Sequence, residues 1–441
     1  MKTTFKKLLP SFLLDCYHWF WPFLGALVYR FPSKNIKVIG ITGTNGKTTV
    51  THLATDIMEG AGYKVASMSS LRFKIGPTVW KNELKMTMPG RMKIQKFLRQ
   101  AVDKGCTFVV MEVTSEGIEQ HRHNFVCFDT AVFTNLTPEH IESHGSFKNY
   151  KKAKGELFKK VKTVIVNLDD EHAEYFLQFP ARKKYAYSLL HDTRALVTNP
   201  PYSMLRTTNY ETSKNGISFT TKNTEFNVPL LGKFNIYNAL AAVCVGLSYG
   251  VKIQTIKQAL EKTTGVPGRM EIVVREPFRV LVDYAHTPDS LRKVYYTLRH
   301  ALSVRRQANL ICVLGAAGGG RDKCKRPEMG KIAAKYCDHI ILTNEDPYDE
   351  DPNSILEHIA AGFSKIRCLA GVGTKLQILQ YEKILDRREA IKKALQSAHP
   401  GDTVIITGKG AEPWLMTKQG KIPWDDREVV RGIFNEVVPS Q

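Results

Sequence analysis

The residues best placed to do chemistry lie at 42–49, Thr-Gly-Thr-Asn-Gly-Lys-Thr-Thr. Small residues let backbone N–H groups close on phosphate oxygens, and a following helix adds positive potential at its amino end. Lys47 is spaced to bridge the outer phosphates, and Thr48 to offer a hydroxyl to Mg²⁺. The strict GxxxxGK[ST] pattern fails, because Ile41 stands five positions before Gly46. The argument therefore rests on a strand before the loop and a helix after it. A second candidate is Glu112 in MEVTSEGIEQHR (111–122): a carboxylate at a strand end suits either a metal or a helix cap. FTNLTPEHIESHG (133–145) holds His140 and His144, which read as loop histidines or ligands. The lysines of FKNYKKAKGELFKK (147–160) read as a solvated helix face, and spacing does not single out Lys154. Four further loops carry charge: DYAHTPDSL (283–291), GAAGGGRDKCKRP (315–327), NEDPYDEDP (344–352) and GKGAEPW (408–414). The second offers Arg321, Lys323, Lys325 and Arg326 to an anion, and the third suits an ammonium group.

These loops need rigid elements behind them. IKVIGITG (36–43), CTFVVMEV (106–113), FDTAVFTNL (128–136) and TVIVNLD (163–169) are apolar runs that end in polar residues. Residues 48–62 have helical spacing and a glycine stop. Buried strands alternating with helices predict a mostly parallel sheet covered on both faces, with function at the strands' carboxyl ends. Alternating residues between 180 and 230 predict hairpins covering one side of that sheet. A helix is expected over about 235–250. GVPGRME (265–271) reads as a linker. A second α/β unit follows, with strands at RVLVDYAH, NLICVLG, HIILTNEDP and DTVIITGKG. The chain thus divides into an apolar arm (1–34), a central domain (35–267) and a carboxyl-terminal domain (268–441).

At 441 residues, 43% hydrophobic and 24% charged, the chain is globular rather than disordered, collagenous or coiled-coil. Lys plus Arg number 63 against 42 Asp plus Glu, a net charge of +21 that favours anionic partners. The eight cysteines contain no CxxC pair, which excludes a zinc ribbon and predicts reduced thiols. Residues 8–29 are mostly apolar but contain Pro10, Asp15, His18 and Pro22. That argues against a signal peptide or a spanning helix. It leaves an interfacial membrane segment or an arm packed on the next domain.

In this order the motifs resemble the Mur ligases, and among them the UDP-N-acetylmuramoyl-tripeptide synthetases. TGTNGKTT, MEVTSEGIEQHR, TNLTPEHIESHG, YKKAKGELF, GKFNIYNALAA, GRME, DYAHTPDSL, GGGRDKCKRPEMG and GKGAE carry the resemblance from about Lys34 onward. It implies a central P-loop ATPase domain and a Rossmann-like carboxyl-terminal domain. It also implies a cytoplasmic, ATP- and Mg²⁺-dependent amide ligase of peptidoglycan precursor synthesis. Such an enzyme joins a diamino acid to UDP-MurNAc-L-alanyl-D-glutamate through an acyl phosphate. A monomer that binds no nucleic acid is expected, with peripheral membrane contact through residues 8–29 if the arm is interfacial.

Carried over by position, Thr44, Asn45, Gly46, Lys47, Thr48, Thr49, Asn235, Asn238, Arg269, Asp283, Tyr284 and His286 surround ATP. Thr48, Glu112, His140 and a carbamylated Lys154 serve Mg²⁺. Lys47, Glu112, His140, Lys154 and Arg269 form the catalytic set. Thr87, Pro89, Thr114, Ser115, Gln120 and Arg122 grip the muramoyl dipeptide, and Arg326, Glu345, Asp346, Gly408 and Glu412 the amino acid. Four features depart from the family, one being Thr87-Met88-Pro89 in place of a TTP-type run. About 34 residues precede the resemblance, where members usually carry a uridine-binding domain. Glu116 and Ala411 stand where histidines are usual. Tyr348 occupies the arginine position of the diaminopimelate motif DNPR, which leans toward lysine or another diamine. A folylpolyglutamate-type ligase is the alternative on the same fold. A non-catalytic membrane or nucleic-acid binder is the alternative from another class.

Overall fold

The computed structural model describes residues 11–84, 86–139, 144–189, 202–302, 308–367 and 380–437. His140 lies outside them. The apolar runs form strands because β-branched and aromatic residues pack well on a pleated, buried surface. In the first unit these are β1 (Lys37–Thr42), β2 (Val65–Met68), β3 (Arg72–Ile75), β4 (Thr78–Lys81), β5 (Phe108–Glu112), β6 (Phe128–Phe133), β7 (Thr163–Asn167), β8 (Lys183–Ser188), β9 (Ser203–Thr212), β10 (Ile217–Thr221) and β11 (Thr224–Val228). They make one sheet in the order β11-β10-β9-β8-β7-β6-β1-β5-β2-β3-β4. Pairings from β9 through to β2 are parallel, and both margins are antiparallel. The hairpins expected to cover the sheet therefore extend its edge instead. Their alternating pattern leaves backbone donors free to pair with the margin, which a covering layer would not satisfy.

After β5 the chain crosses to the other side of β1 and lays down β6, so β1 marks a topological switch point. A crevice opens there at the carboxyl ends of the strands. Helix α1 (Lys47–Gly60) leaves β1 through the glycine loop. On the same face α2 (Phe234–Ser248) is buried along most of its length. Val50, Leu53, Ile57, Ile236, Leu240 and Val243 fill the core between these helices and the sheet. Each such side chain contributes about 2 kcal/mol on burial. This layer holds the glycine loop still.

The second unit is a six-stranded sheet, β12-β13-β17-β14-β15-β16. Its strands are β12 (Glu271–Val274), β13 (Arg279–Asp283), β14 (Leu310–Leu314), β15 (His339–Leu342), β16 (Gln380–Lys383) and β17 (Thr403–Thr407). Only β12 runs antiparallel to its neighbour. The charged loops at 283–291, 315–327, 344–352 and 408–414 all follow its parallel strands, at one end. Cys312 of β14 and Cys337 are joined in a disulfide, contrary to the reduced thiols expected. The helix after β14 returns the chain so that their Cα atoms lie 6.1 Å apart.

The apolar arm forms a helix over Ser11–Val28, with Pro22 inside it, and packs against the helix Arg91–Asp103. Among the described residues no helix is long and apolar enough to cross a membrane.

Candidate active site

The two units face each other across a cleft of about 400 Å³. One wall is the glycine loop. Gly46 has φ 86°, and a Cβ there would collide with Asn238 Oδ1, so only glycine fits. The Asn45 amide N–H donates to Asn135 Oδ1 at 2.9 Å, and the Asn45 carbonyl accepts from Thr134 and Asn135. Lys47 Nζ donates to Gly43 O and Thr44 O, at 2.9 and 2.8 Å. Burial pulls its pKa down, and the carboxylates of Glu112 and Glu139 push back. Thr49 and Asn235 complete this wall, and Asn235 accepts from Asn238 at 2.9 Å.

Glu112 ends β5, only 1% exposed, and accepts from the Ser70 N–H at 2.9 Å. Ser70 Oγ lies 3.0 Å from Thr48 Oγ1. Burial raises the Glu112 pKa against the pull of Lys47. A buried carboxylate beside a hydroxyl is an oxygen donor set that fits Mg²⁺. Among the described residues no group of three His, Cys, Asp or Glu side chains could hold a metal on its own. Bound phosphate would have to supply further oxygens. His144 is not available as a ligand, since its Nδ1 meets Glu119 Oε1 at 2.5 Å and its Nε2 meets Ser115 Oγ at 3.0 Å.

Lys154 separates from the other lysines of its run. It is 2% exposed, donates to Gly43 O at 2.9 Å and sits 4.5 Å from the Tyr150 ring centroid. Burial, reinforced by Lys47, holds its pKa well below that of an ordinary lysine. Glu139 is a residue the sequence reading passed over. It lines the cleft, with the His286 imidazole 3.7 Å away. Burial raises its pKa against the pull of Lys47, Lys325 and Lys154. Its position just before the histidine pair was the one available signal.

The second unit supplies the facing wall. The Arg269 guanidinium lies 4.2 Å from the Tyr284 ring centroid and reaches Thr48 Oγ1 at 3.5 Å. Asp283 accepts from the N–H groups of Met270 and Ala285, both at 2.7 Å, which fixes the turn that presents Tyr284 and His286. Asn45 Nδ2 donates to Asp289 Oδ2 at 3.0 Å across the cleft.

Thr87, Met88, Thr114, Ser115, Glu116 and Arg122 of the first unit line the cleft. Pro89 and Gln120 are not among the lining residues, and Gln120 Oε1 accepts from Arg122 at 2.6 Å. Arg321, Asp346, Tyr348 and Glu412 of the second unit also line the cleft, whereas Glu345 and Gly408 are not among the lining residues. Arg326 is not among the lining residues. It is fully buried and bonded twice to Glu350, at 2.7 and 2.9 Å. Of the cations in that loop, Arg321 and not Arg326 reaches the space.

Lys409 Nζ ties Asp346, 3.0 Å to each oxygen, to Glu412 at 2.5 Å. Glu345 is 5% exposed, and its Oε2 has no hydrogen-bond partner. Gly408 has φ 107°, and a Cβ there would strike that oxygen. Burial pushes the Glu345 carboxyl up to about 7, against the pull of Arg387. An orphaned, buried carboxylate oxygen suits an ammonium group.

Known proteins agree with this geometry. Residues 41–246 match the Mur ligase middle domain, and residues 268–410 the glutamate ligase domain of Mur ligases. The UDP-N-acetylmuramoyl-L-alanyl-D-glutamate–2,6-diaminopimelate ligase of Syntrophomonas wolfei is 38% identical over 421 residues, 92% of this chain and 80% of the relative. The UDP-N-acetylmuramyl-tripeptide synthetase of a Roseiflexus species is 34% identical, over 94% of this chain and 81% of the relative. A solved diaminopimelate ligase structure superposes with a TM-score of 0.60 at 31% identity, covering 91% of this chain and 78% of that one. Folylpolyglutamate synthase of Mycobacterium tuberculosis gives a TM-score of 0.68 at 16% identity, covering 88% and 92%, a likeness of fold alone. A glycine loop facing charged strand-end loops across one cleft, in a chain this similar over nine-tenths of its length, means that the chain belongs to the Mur ligase family of ATP-dependent amide ligases.

Proposed function

We propose that this enzyme joins a diamino acid to the D-glutamyl carboxylate of UDP-MurNAc-L-alanyl-D-glutamate. The observation that carries the reading is the shared cleft: a phosphate cradle on one wall and, on the other, the acidic Asp346 and Glu412 beside Arg321. A carboxylate is a poor acyl donor near neutral pH. Its oxygen attacks the γ-phosphorus of ATP, ADP leaves, and an acyl phosphate forms. The substrate amine then attacks the acyl carbon, loses a proton and expels phosphate. Lys47 and Arg269 neutralise the phosphates as two anions meet. Thr87, Thr114, Ser115 and Arg122 hold the dipeptide end, and the ordered walls supply orientation. Thr48 and Glu112 would hold Mg²⁺, with His140 and Lys154 toward a second ion. When bound, Mg²⁺ supplies charge stabilisation for the transferring phosphoryl group. Burial favours the neutral amine of Lys154, the form that is nucleophilic toward CO₂, which supports a carbamate there.

Glu345 and Asp346 suit the amino acid's ammonium groups, and Arg321 suits a carboxylate. Tyr348 in place of an arginine favours lysine or ornithine over diaminopimelate. The test is ADP release with the muramoyl dipeptide, paired in turn with lysine, ornithine and meso-diaminopimelate, and with a pteroate donor as control. Turnover that needs the muramoyl donor and one diamine is expected, and Lys47→Ala lowers it at least about 100-fold. Turnover with pteroate alone, or with no pairing, overturns the reading.

A further inference from the structure

The arm helix uses only one side of its apolar surface. Pro22, Gly25 and Ala26 are buried, and Gly25 lies against Met92 and Gln95 of the helix Arg91–Asp103. Trp19 and Phe23 stack on each other and meet Phe125 at 5.3 and 5.4 Å. The opposite side carries Tyr17, Phe20, Trp21, Leu24, Leu27 and Val28, at helical spacing. Tyr17, Phe20, Leu27 and Val28 are 49–55% exposed. A surface helix normally turns polar residues outward. An outward face that is wholly apolar and rich in aromatics needs a cover.

We propose that this face lies on an anionic lipid bilayer. The charges beside it choose that occupant. Arg30 and Lys34, just after the helix, are exposed. So are Lys93 and Lys96, each one position around their helix from Met92 and Gln95. Lys6 and Lys7 precede the arm helix in sequence, and Asp15 is the one acid among residues 1–30. A second copy on this face would bring like cations together, whereas acidic headgroups answer them. The bound face also has a fixed relation to the cleft. Arg91 lies 5.5 Å from the Tyr17 ring centroid, bonds to His18, and donates to Gln120 O at 3.1 Å. Gln120 in turn holds Arg122 of the cleft wall. The bound face is thereby joined through Arg91 and Gln120 to Arg122 of the cleft wall. This inference does not depend on which amino acid is joined.

The full chain is sedimented with phosphatidylcholine vesicles, with and without about a quarter phosphatidylglycerol. At least about tenfold more protein is expected on the anionic vesicles, with the excess lost in high salt. The Phe20→Ser, Leu27→Ser, Val28→Ser triple variant should bind at least about tenfold more weakly while keeping ATP turnover. Should that variant fold poorly, Lys93→Glu with Lys96→Glu tests the same face through charge and should lose the anionic preference. Absence of sedimentation with anionic vesicles overturns the proposal, as does undiminished binding by both variants. A dimer seen by light scattering and abolished by the triple variant would show that a second copy covers the face, and overturns it too.

Discussion

Glu345 shows how much burial alone can do to one residue. Its carboxyl is raised to about 7, above the ordinary glutamate value near 4.5. Between those two values the folded protein holds a proton that the unfolded chain has released. Stability from this group is therefore complete below about pH 4.5 and is lost as pH rises through about 7. Thermal unfolding of the wild type should fall over that window, and Glu345→Gln should flatten the dependence. An unchanged slope in the variant would mean that Glu345 is ionised throughout. The same burial gives the residue its chemical use, because an ammonium arriving beside the bare oxygen would restore the charge. Lys154 follows parallel logic with opposite sign: burial drives the amine toward its neutral form.

At the scale of elements, the second sheet is pinned where its loops begin. Arg387, just after β16, bonds to Asp426 twice, at 2.8 and 2.7 Å, and donates to Thr407 O and Asn344 O. Those carbonyls close β17 and open the loop after β15, so one buried guanidinium sets the spacing between the Gly408 and Glu345 loops. Removing one partner of a buried pair strands the other charge. Arg387→Ala is expected to cost about 3–5 kcal/mol, read from denaturant unfolding. A loss below about 1 kcal/mol would mean that water replaces the pair. The hairpins β3–β4 and β9–β11 show a second rule of this scale. Alternating strands at a sheet margin meet their hydrogen-bonding needs by lengthening the sheet.

For the whole molecule, the question is what brings the two sheets together beyond Leu231 and Phe234 of the first unit, which pack on the second unit's core. Few described polar contacts cross between the units: Asn45 to Asp289, Arg269 to Thr48, His286 beside Glu139, and Lys81 beside Asp425 and Glu428 at 3.9 and 3.7 Å. So small a set suits units that approach and separate as nucleotide enters and leaves. Asp289→Ala should raise the KM for ATP about tenfold, the worth of one charge-assisted hydrogen bond, with little change in unfolding midpoint. Small-angle scattering of that variant without nucleotide should report a larger radius of gyration. An unchanged KM and radius would place the closing force elsewhere.

The sequence by itself determined the strands β1, β5, β6, β7, β13, β14, β15 and β17, the glycine loop and the helix after it. It also determined that the charged loops follow strands of a second sheet. Those features follow from side-chain periodicity and turn chemistry, which act over a few residues. The tertiary structure alone decided which of similar residues matter. Lys154 leaves a lysine-rich run for a buried place at Gly43 O, Arg321 reaches the cleft while Arg326 is spent on Glu350, and Glu139 enters beside the cradle. It also sorted the arm helix into a packed face and a bare one. Burial and charge pairing depend on residues distant in the chain, so neither spacing nor composition can assign them.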